Sequence, residues 1–292
     1  MMEGGFMSSS GAAKALFVAV TAAVAAMAGV QFYQHRHHRL PIVAGPAVTR
    51  VANLGEYGPG LKGTMADTKV FFLEGREPGG TVLLMAGTHP NEIDGLLSAL
   101  LFIENASVEK GTVIVIPQLN HSASVYTRPG DGYPLFYDIK TPWGAKTFRF
   151  GDRGASPLDQ WPDPDVYVHY PDGQMMSFLD ARNTNRSWPG RPDGLLMEQV
   201  TVDLLMTGRD PFLLSLAAQQ KLFVPYDESG WPVEQRVGQL CSVALEILNQ
   251  YSRKNPGRTI QVRDVPRYAD LVASGVGFYY HDPRKAKIVY YD

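Results

Sequence analysis

The chain has a single cysteine, Cys241, among its 292 residues. An intramolecular disulfide and a thiolate zinc cluster are therefore excluded, and any metal site must draw on nitrogen and oxygen donors. Blocks of like charge are missing as well: 27 Lys and Arg against 29 Asp and Glu leave a formal charge of -2. Without a basic footprint a nucleic-acid binder is not expected, and small or neutral partners are. No internal repeat is present. What remains is 45% hydrophobic and 19% charged, the balance of a globular chain able to bury a sizeable core as one large or two small domains. Its 29 glycines and 21 prolines point to long structured loops.

The one long uncharged apolar run lies near the start, "ALFVAVTAAVAAMAGV", Ala15 to Val30, after a polar leader ending in Lys14. It reads as a membrane-targeting segment. Its length lies between the core of a signal peptide and the ~20 residues of a full span, so cleavage after "AMA" and retention as an anchor are both open. The following "HRHHR", His35 to Arg39, is more basic than the leader and would hold the body on the cytoplasmic side. The expectation is a membrane-anchored or exported protein, the side of the membrane left open. Juxtamembrane basic residues of this kind meet lipid headgroups more often than metals. Residues 1–40 are thus read as signal or anchor and 41–292 as one domain.

After a linker from Leu40 to Gly63, "KVFFLEG" and "TVLLMAG" are short apolar runs bounded by glycine, which predicts two strands. From Asn91 to Glu104 the apolar positions Ile93, Leu96, Leu97, Leu100 and Leu101 have helical spacing. "TVIVIPQ", Thr112 to Gln118, is a continuous apolar run of the kind buried in parallel sheets. Strand, helix, strand in that order predicts an α/β fold with a right-handed crossover. From Asn120 to Arg191 periodicity fades, and a long functional loop region is expected. Helices are predicted over Pro211 to Lys221 and Val233 to Tyr251, the latter with Val233, Val237, Leu240, Ala244, Leu248 and Tyr251 on one face. "RTIQVRDV" and "AKIVYYD" read as strands flanking a short helix near Tyr268 to Ala273.

Within "MAGTHPNEIDG", His89 and Glu92 fall in the turn between a strand's carboxyl end and the next helix, where open α/β sheets bind ligands. Both are proper zinc ligands, and a catalytic zinc takes three protein ligands plus water. The alternative is a helix-start glutamate after a surface histidine. A second cluster, "DARNTNRSWPG", places Asn185 beside Arg186. A guanidinium fork grips a carboxylate bidentately and a neighbouring asparagine can fix its second oxygen. The alternative there is an arginine tied to Asp180 or Asp193 in an exposed ion pair.

"GTHPNEIDG" followed by "NTNRSWPG" resembles the paired signatures of the zinc carboxypeptidase superfamily, in its succinylglutamate desuccinylase/aspartoacylase branch. The resemblance covers Lys69 to about Gly194 and continues weakly beyond "LMTGRDPF". It implies a zinc-carboxypeptidase-like mixed sheet flanked by helices, with Zn2+ bound by His89 and Glu92 and a substrate carboxylate held by Asn185 and Arg186. The implied activity is hydrolysis of an amide bond in a small N-acylated amino acid or a peptide-like carboxylate. An arginine that assists in relatives near "QLNHSAS" is replaced here by His121 and Ser122.

The family's third ligand is a histidine in an Asp-Leu-His string, followed later by a general-base glutamate. The nearest string is "VDLLM", with Leu205 where the histidine would stand. Either Leu205 replaces that ligand, or a segment between about Val200 and Thr207 is missing and the sheet is incomplete after residue 200. His121 is the candidate substitute ligand, His169 a weaker one, and His281 reads as structural. Glu198 is the candidate base, with a first-turn helix glutamate as its plain alternative. Asp94 and Asp180 are candidates to orient His89. Tyr126, Tyr133, Phe136, Tyr137, Trp143, Trp161, Tyr167 and Trp188 could line a cleft or pin the loops. The rival to an enzyme is a membrane-tethered, non-catalytic carboxylate-binding module.

Overall fold

An apolar run away from water must satisfy its own backbone, which a helix does. In the computed structural model Ser9–Arg36 form that helix, α1, with 28 residues. At ~1.5 Å per residue it is longer than the ~30 Å hydrocarbon core of a bilayer. It is long and apolar enough to cross a membrane, a description that a signal helix near the N-terminus also meets. The structure describes residues 9–128, 135–141, 144–205, 212–215, 233–263 and 287–289. The chain divides into two units, Met1–His38 and Arg39–Asp292.

The second unit begins with β1 (Ile42–Ala44), β2 (Val48–Asn53), β3 (Lys69–Glu74) and β4 (Glu77–Met85), followed by α2 (Ile93–Asn105) and β5 (Ser107–Ile116). The expected linker from Leu40 to Gly63 therefore holds two strands. It also holds the single turns Leu54–Glu56 and Pro59–Leu61, whose leucines are fully buried. Runs such as "IVA" are too short to carry a period, so their pairing is decided by tertiary contact. The predicted crossover is present: β4 and β5 pair in parallel with Val82 opposite Val113. β3 lies antiparallel on the other side of β5, Phe71 opposite Val115, and β2 closes that edge.

Alternation along these strands feeds two cores. Val82, Leu84, Val113, Val115, Phe71 and Leu73 point into one, while Leu83, Met85, Ile114, Ile116, Val70 and Phe72 point into the other. A strand buried on both faces reads as a continuous apolar run, which is why periodicity alone could not orient it.

Further along come α3 (His121–Ser124), the hairpin β6 (Phe136–Thr141) and β7 (Gly144–Arg149), the hairpin β8 (Val166–Val168) and β9 (Met175–Ser177), and α4 (Leu196–Leu205). The expected loop region thus contains two hairpins. Next are β10 (Phe212–Ser215), α5 (Val233–Lys254), β11 (Gln261–Arg263) and β12 (Lys287–Val289). The predicted helix over Pro211 to Lys221 is corrected at Phe212–Ser215, which runs parallel to β4 with Ser215 opposite Met85. β11 pairs antiparallel with β5, and β12 with β1. The helix expected near Tyr268 to Ala273 lies outside the described residues, as does His281.

Helix α5 lays Val237, Cys241, Ala244 and Leu248 into the same core as α2, while Met197 and Val200 of α4 enter the opposite core. The result is a mixed sheet with helices on both faces. Under the β6–β7 hairpin, Lys146 Nζ lies 3.4 Å from Glu104 Oε1, both side chains buried. Burial pushes the Glu104 carboxyl up to about 7 against the opposing pull of Lys146, and burial lowers the Lys146 ammonium.

Candidate active site

Strand β4 ends at Met85, and the chain leaves the sheet through Gly87, whose φ of 64° suits glycine. A Cβ there would stand 2.8 Å from the Pro117 carbonyl oxygen. The segment after β5 is strapped alongside: Leu119 N–H donates to Ala86 O at 2.8 Å and Asn120 N–H to Gly87 O at 3.0 Å. His89 and Glu92 then form a single turn, Glu92 N–H donating to His89 O at 2.9 Å, and Glu92 stands at the N-terminal boundary of α2 without a side-chain capping bond. Both side chains are buried beyond the carboxyl ends of the parallel strands β4 and β5, the crevice that such sheets use for ligands.

His89 Nδ1 lies 2.9 Å from Glu92 Oε1, and His89 Nε2 lies 2.9 Å from Asn183 Oδ1. Asn183 Oδ1 also accepts the Asn185 N–H at 3.1 Å, which identifies that atom as the amide oxygen. An oxygen can only accept, so His89 donates through Nε2–H, and in the neutral ring Nδ1 carries a lone pair. That lone pair faces a carboxylate oxygen. Two acceptors at this distance need a cation, a proton or a metal ion, to hold them together. Arg153 supplies only remote relief, with Nη1 3.9 Å from Glu92 Oε1.

Beside the pair is a cleft of about 190 Å³ whose walls include Tyr126, Arg128, Asp152, Arg153, Leu179, Arg182 and Asn183. Arg128 Nε pairs with Asp152 Oδ2 at 3.0 Å, and Arg182 Nη2 with Asp163 Oδ2 at 2.9 Å. Arg153 and Asn183 join the cleft to the His89–Glu92 pair. Neither was singled out in the sequence, although Asn183 stands inside the quoted "NTNR" and has the asparagine of a capped turn as its local signal.

Asn185 and Arg186 are exposed on the turn Thr184–Arg186. Arg186 Nε is 3.9 Å from Asp180 Oδ1, and Asp180 lines the cleft, so this guanidinium sits one residue away from it. His89 is oriented by Asn183 rather than by either expected aspartate: Asp94 is buried in the first turn of α2, where its charge raises the Tyr137 phenol after burial has done so first. His121 opens α3 and is buried, but among the described residues no third His, Cys, Asp or Glu joins His89 and Glu92 in a metal-binding group.

Glu198 follows its plain alternative. Its Oε2 accepts the Leu195 N–H at 2.8 Å and lies 3.5 Å from Arg191, while Oε1 accepts from the Tyr167 hydroxyl at 3.3 Å. His169 is engaged by Asp172 and the Trp188 carbonyl. The string around Leu205 is the end of a helix, not of a strand. Among the described residues of that set Tyr126 alone lines the cleft; Tyr137 stacks on Phe148, Trp188 packs against the second core and Trp161 is exposed. Tyr133 and Trp143 lie outside the described residues.

A mixed sheet between helices, with buried polar side chains at the carboxyl ends of its parallel strands, is an α/β protein with a crevice site. No family model and no curated protein sequence matches the chain. Among solved structures it is similar to the ectoine utilization protein EutE (DoeB) from Ruegeria pomeroyi, at 19% identity over 51% of this chain and 32% of that one, TM-score 0.29. It is similar to a succinylglutamate desuccinylase from Silicibacter sp. TM1040, at 17% identity over 51% and 32%, TM-score 0.27. An aspartoacylase family protein from Mesorhizobium loti matches at 14% identity over 72% of this chain and 62% of that one, TM-score 0.30. The chain spans about a third of the length of the first two. The second and third of these structures carry the family names that the two motifs resemble.

Proposed function

We propose that the chain is a zinc-dependent hydrolase of the succinylglutamate desuccinylase/aspartoacylase type, acting on an amide bond of a small N-acylated amino acid or peptide-like carboxylate. The observation that supports this most is the 2.9 Å approach of His89 Nδ1 to Glu92 Oε1, a nitrogen and oxygen donor pair that suits zinc. His89 and Glu92 would hold the ion, which when bound supplies a polarised water and a Lewis acid for the carbonyl. Asn183 keeps the His89 ring in the tautomer that leaves Nδ1 free to coordinate. Arg153 brings positive charge to the cleft wall, and Arg186 with Asn185 would receive the substrate carboxylate. Glu198 is committed to Leu195, Tyr167 and Arg191, so no general base is assigned to it. The reading includes a missing segment between about Val200 and Thr207, which re-sequencing the coding DNA there tests.

The direct experiment is to titrate the purified full chain with zinc and then offer N-succinyl and N-acetyl amino acids while following free amine. One ion per chain, lost in His89→Ala, with amine release in the unmodified chain, is expected. A chain that takes up no zinc at concentrations loading a known zinc hydrolase rules the catalytic reading out. Carboxylate binding that persists there and disappears in Arg186→Ala would identify a non-catalytic binding module instead.

A further inference from the structure

The turn between β8 and β9 closes through two backbone bonds, His169 N–H to Gln174 O and Gly173 N–H to His169 O, each 2.9 Å. The His169 ring then reaches in two directions. Nδ1 lies 2.8 Å from Asp172 Oδ1 in its own turn, and Nε2 lies 2.6 Å from the carbonyl oxygen of Trp188. A carboxylate and a carbonyl can only accept, while a neutral imidazole owns a single N–H. Both contacts are hydrogen bonds only when the ring is an imidazolium. Trp188 closes the segment that begins at Asn183, which holds His89, and includes Asn185 and Arg186.

We propose that His169 is a positioning residue, a protonated clamp that holds the Trp188 end of the Asn183–Trp188 loop onto the β8–β9 hairpin. With the proton in place, Asn183 on His89 holds one end of the loop, and Trp188 on His169 adds to the Thr201 and Tyr167 hydroxyls that hold the other. When the proton leaves, the carboxylate of Asp172 retains the remaining N–H at Nδ1, because a charged acceptor outcompetes a neutral one. The Nε2 lone pair is then set against the Trp188 oxygen, and that end of the loop is left to the Thr201 hydroxyl on Ser187 O, the Tyr167 hydroxyl on Arg186 O and the packing of the Trp188 ring.

The charged surroundings favour the closed form. Asp172 faces the ring from its own turn, Glu198 from α4, and Arg191 pairs with Glu198 while lying over the Tyr170 ring. The hydrogen bond to Asp172 leads in raising the His169 imidazolium above the usual histidine range, with the Trp188 carbonyl and the charges of Asp172 and Glu198 adding to it against a smaller desolvation effect. Asp172 in turn is held below the usual carboxylate range by the Gln174 N–H first and His169 second. A raised imidazolium stabilises the fold at low pH and loses that contribution as pH rises through its folded value. The clamp therefore opens on the alkaline side of an ordinary histidine titration.

Hydrogen exchange of the full chain across pH, corrected for intrinsic amide rates, reads the clamp without metal or substrate. The reporters are the Arg186 and Ser187 amides, which donate to Asn183 O at 2.8 Å and Thr184 O at 3.2 Å. Protection of peptides spanning 183–190 is expected to fall about tenfold as His169 deprotonates, the scale of one charge-assisted hydrogen bond. His169→Gln should show the low protection at every pH, and Asp172→Asn should move the midpoint to lower pH. A melting curve establishes that each variant is folded; should His169→Gln fail to fold, Asp172→Asn carries the test alone. Protection that does not change with pH in the unmodified chain, or a midpoint unmoved by Asp172→Asn, overturns the clamp. The effect on carboxylate binding rests on the role proposed for Arg186, but the exchange result does not, so the two readings fail separately.

Discussion

His89 and Glu92 were legible because a histidine and a glutamate three residues apart in a strand-to-helix turn meet whatever the rest of the chain does. Asn183 was not, since its contact with His89 joins residues 94 positions apart and no local pattern announces such a partner. Replacing Asn183 with alanine removes the acceptor that fixes the ring, and under the proposed zinc reading the affinity for the ion should drop ~10–100-fold, the usual cost of losing an outer partner of a ligating histidine. Asn185→Ala, which removes a side chain exposed on the loop, should change metal affinity far less. Calorimetric zinc titration of the two variants separates them, and equal losses would count against the tautomer argument. Glu198 shows the reverse lesson. A glutamate in the first turn of a helix was readable as structural, and its bonds to Leu195 and Tyr167 agree with that.

At the level of elements, the amphipathic stripe of α5 and the apolar runs of β3, β4 and β5 were readable because burial imposes a period or a continuous run on them. "FLLS" was read as part of a helix because four apolar-rich residues fit either form, and only pairing with β4 decides it. The hairpins between Asn120 and Arg191 were missed because β8 and β9 are only three residues long and β7 buries Lys146 and Arg149, so no alternation of apolar and polar residue types marks them. Helix α2 carries a pH dependence through its contact with Lys146 on β7. In Glu104, a carboxyl raised to about 7 means the folded chain holds a proton that the unfolded chain has already lost above the usual carboxylate range. Stability therefore falls as pH rises between the unfolded value and about 7, by at most about 1.4 kcal/mol per pH unit for one proton. Glu104→Gln should flatten that slope in urea titrations run from pH 5 to 7. Lys146→Met, which removes the cation that pulls the Glu104 carboxyl down, should carry the fall in stability to higher pH. A slope unchanged in Glu104→Gln would assign the pH dependence elsewhere.

For the molecule as a whole, the apolar N-terminal run was the easiest feature to read and the structure lengthens it to Ser9–Arg36. Because residues 1–38 form a unit of their own, deleting them should leave the body's melting transition in place while moving the protein from the membrane fraction to the supernatant. A truncated chain that still sediments with membranes would argue against α1 as the anchor. The sheet itself has an order of assembly written into it. β3, β4, α2 and β5 are consecutive and join through short closures, which cost little chain entropy and form early. β10 reaches β4 only after the chain has passed through two hairpins and α4. The bond from His89 to Asn183 belongs to that later stage, so the scaffold can be nearly complete before the site exists. Changes around Asn183 are therefore expected to act on how fast the finished molecule comes apart, and changes in β4 and β5 on how fast it is made.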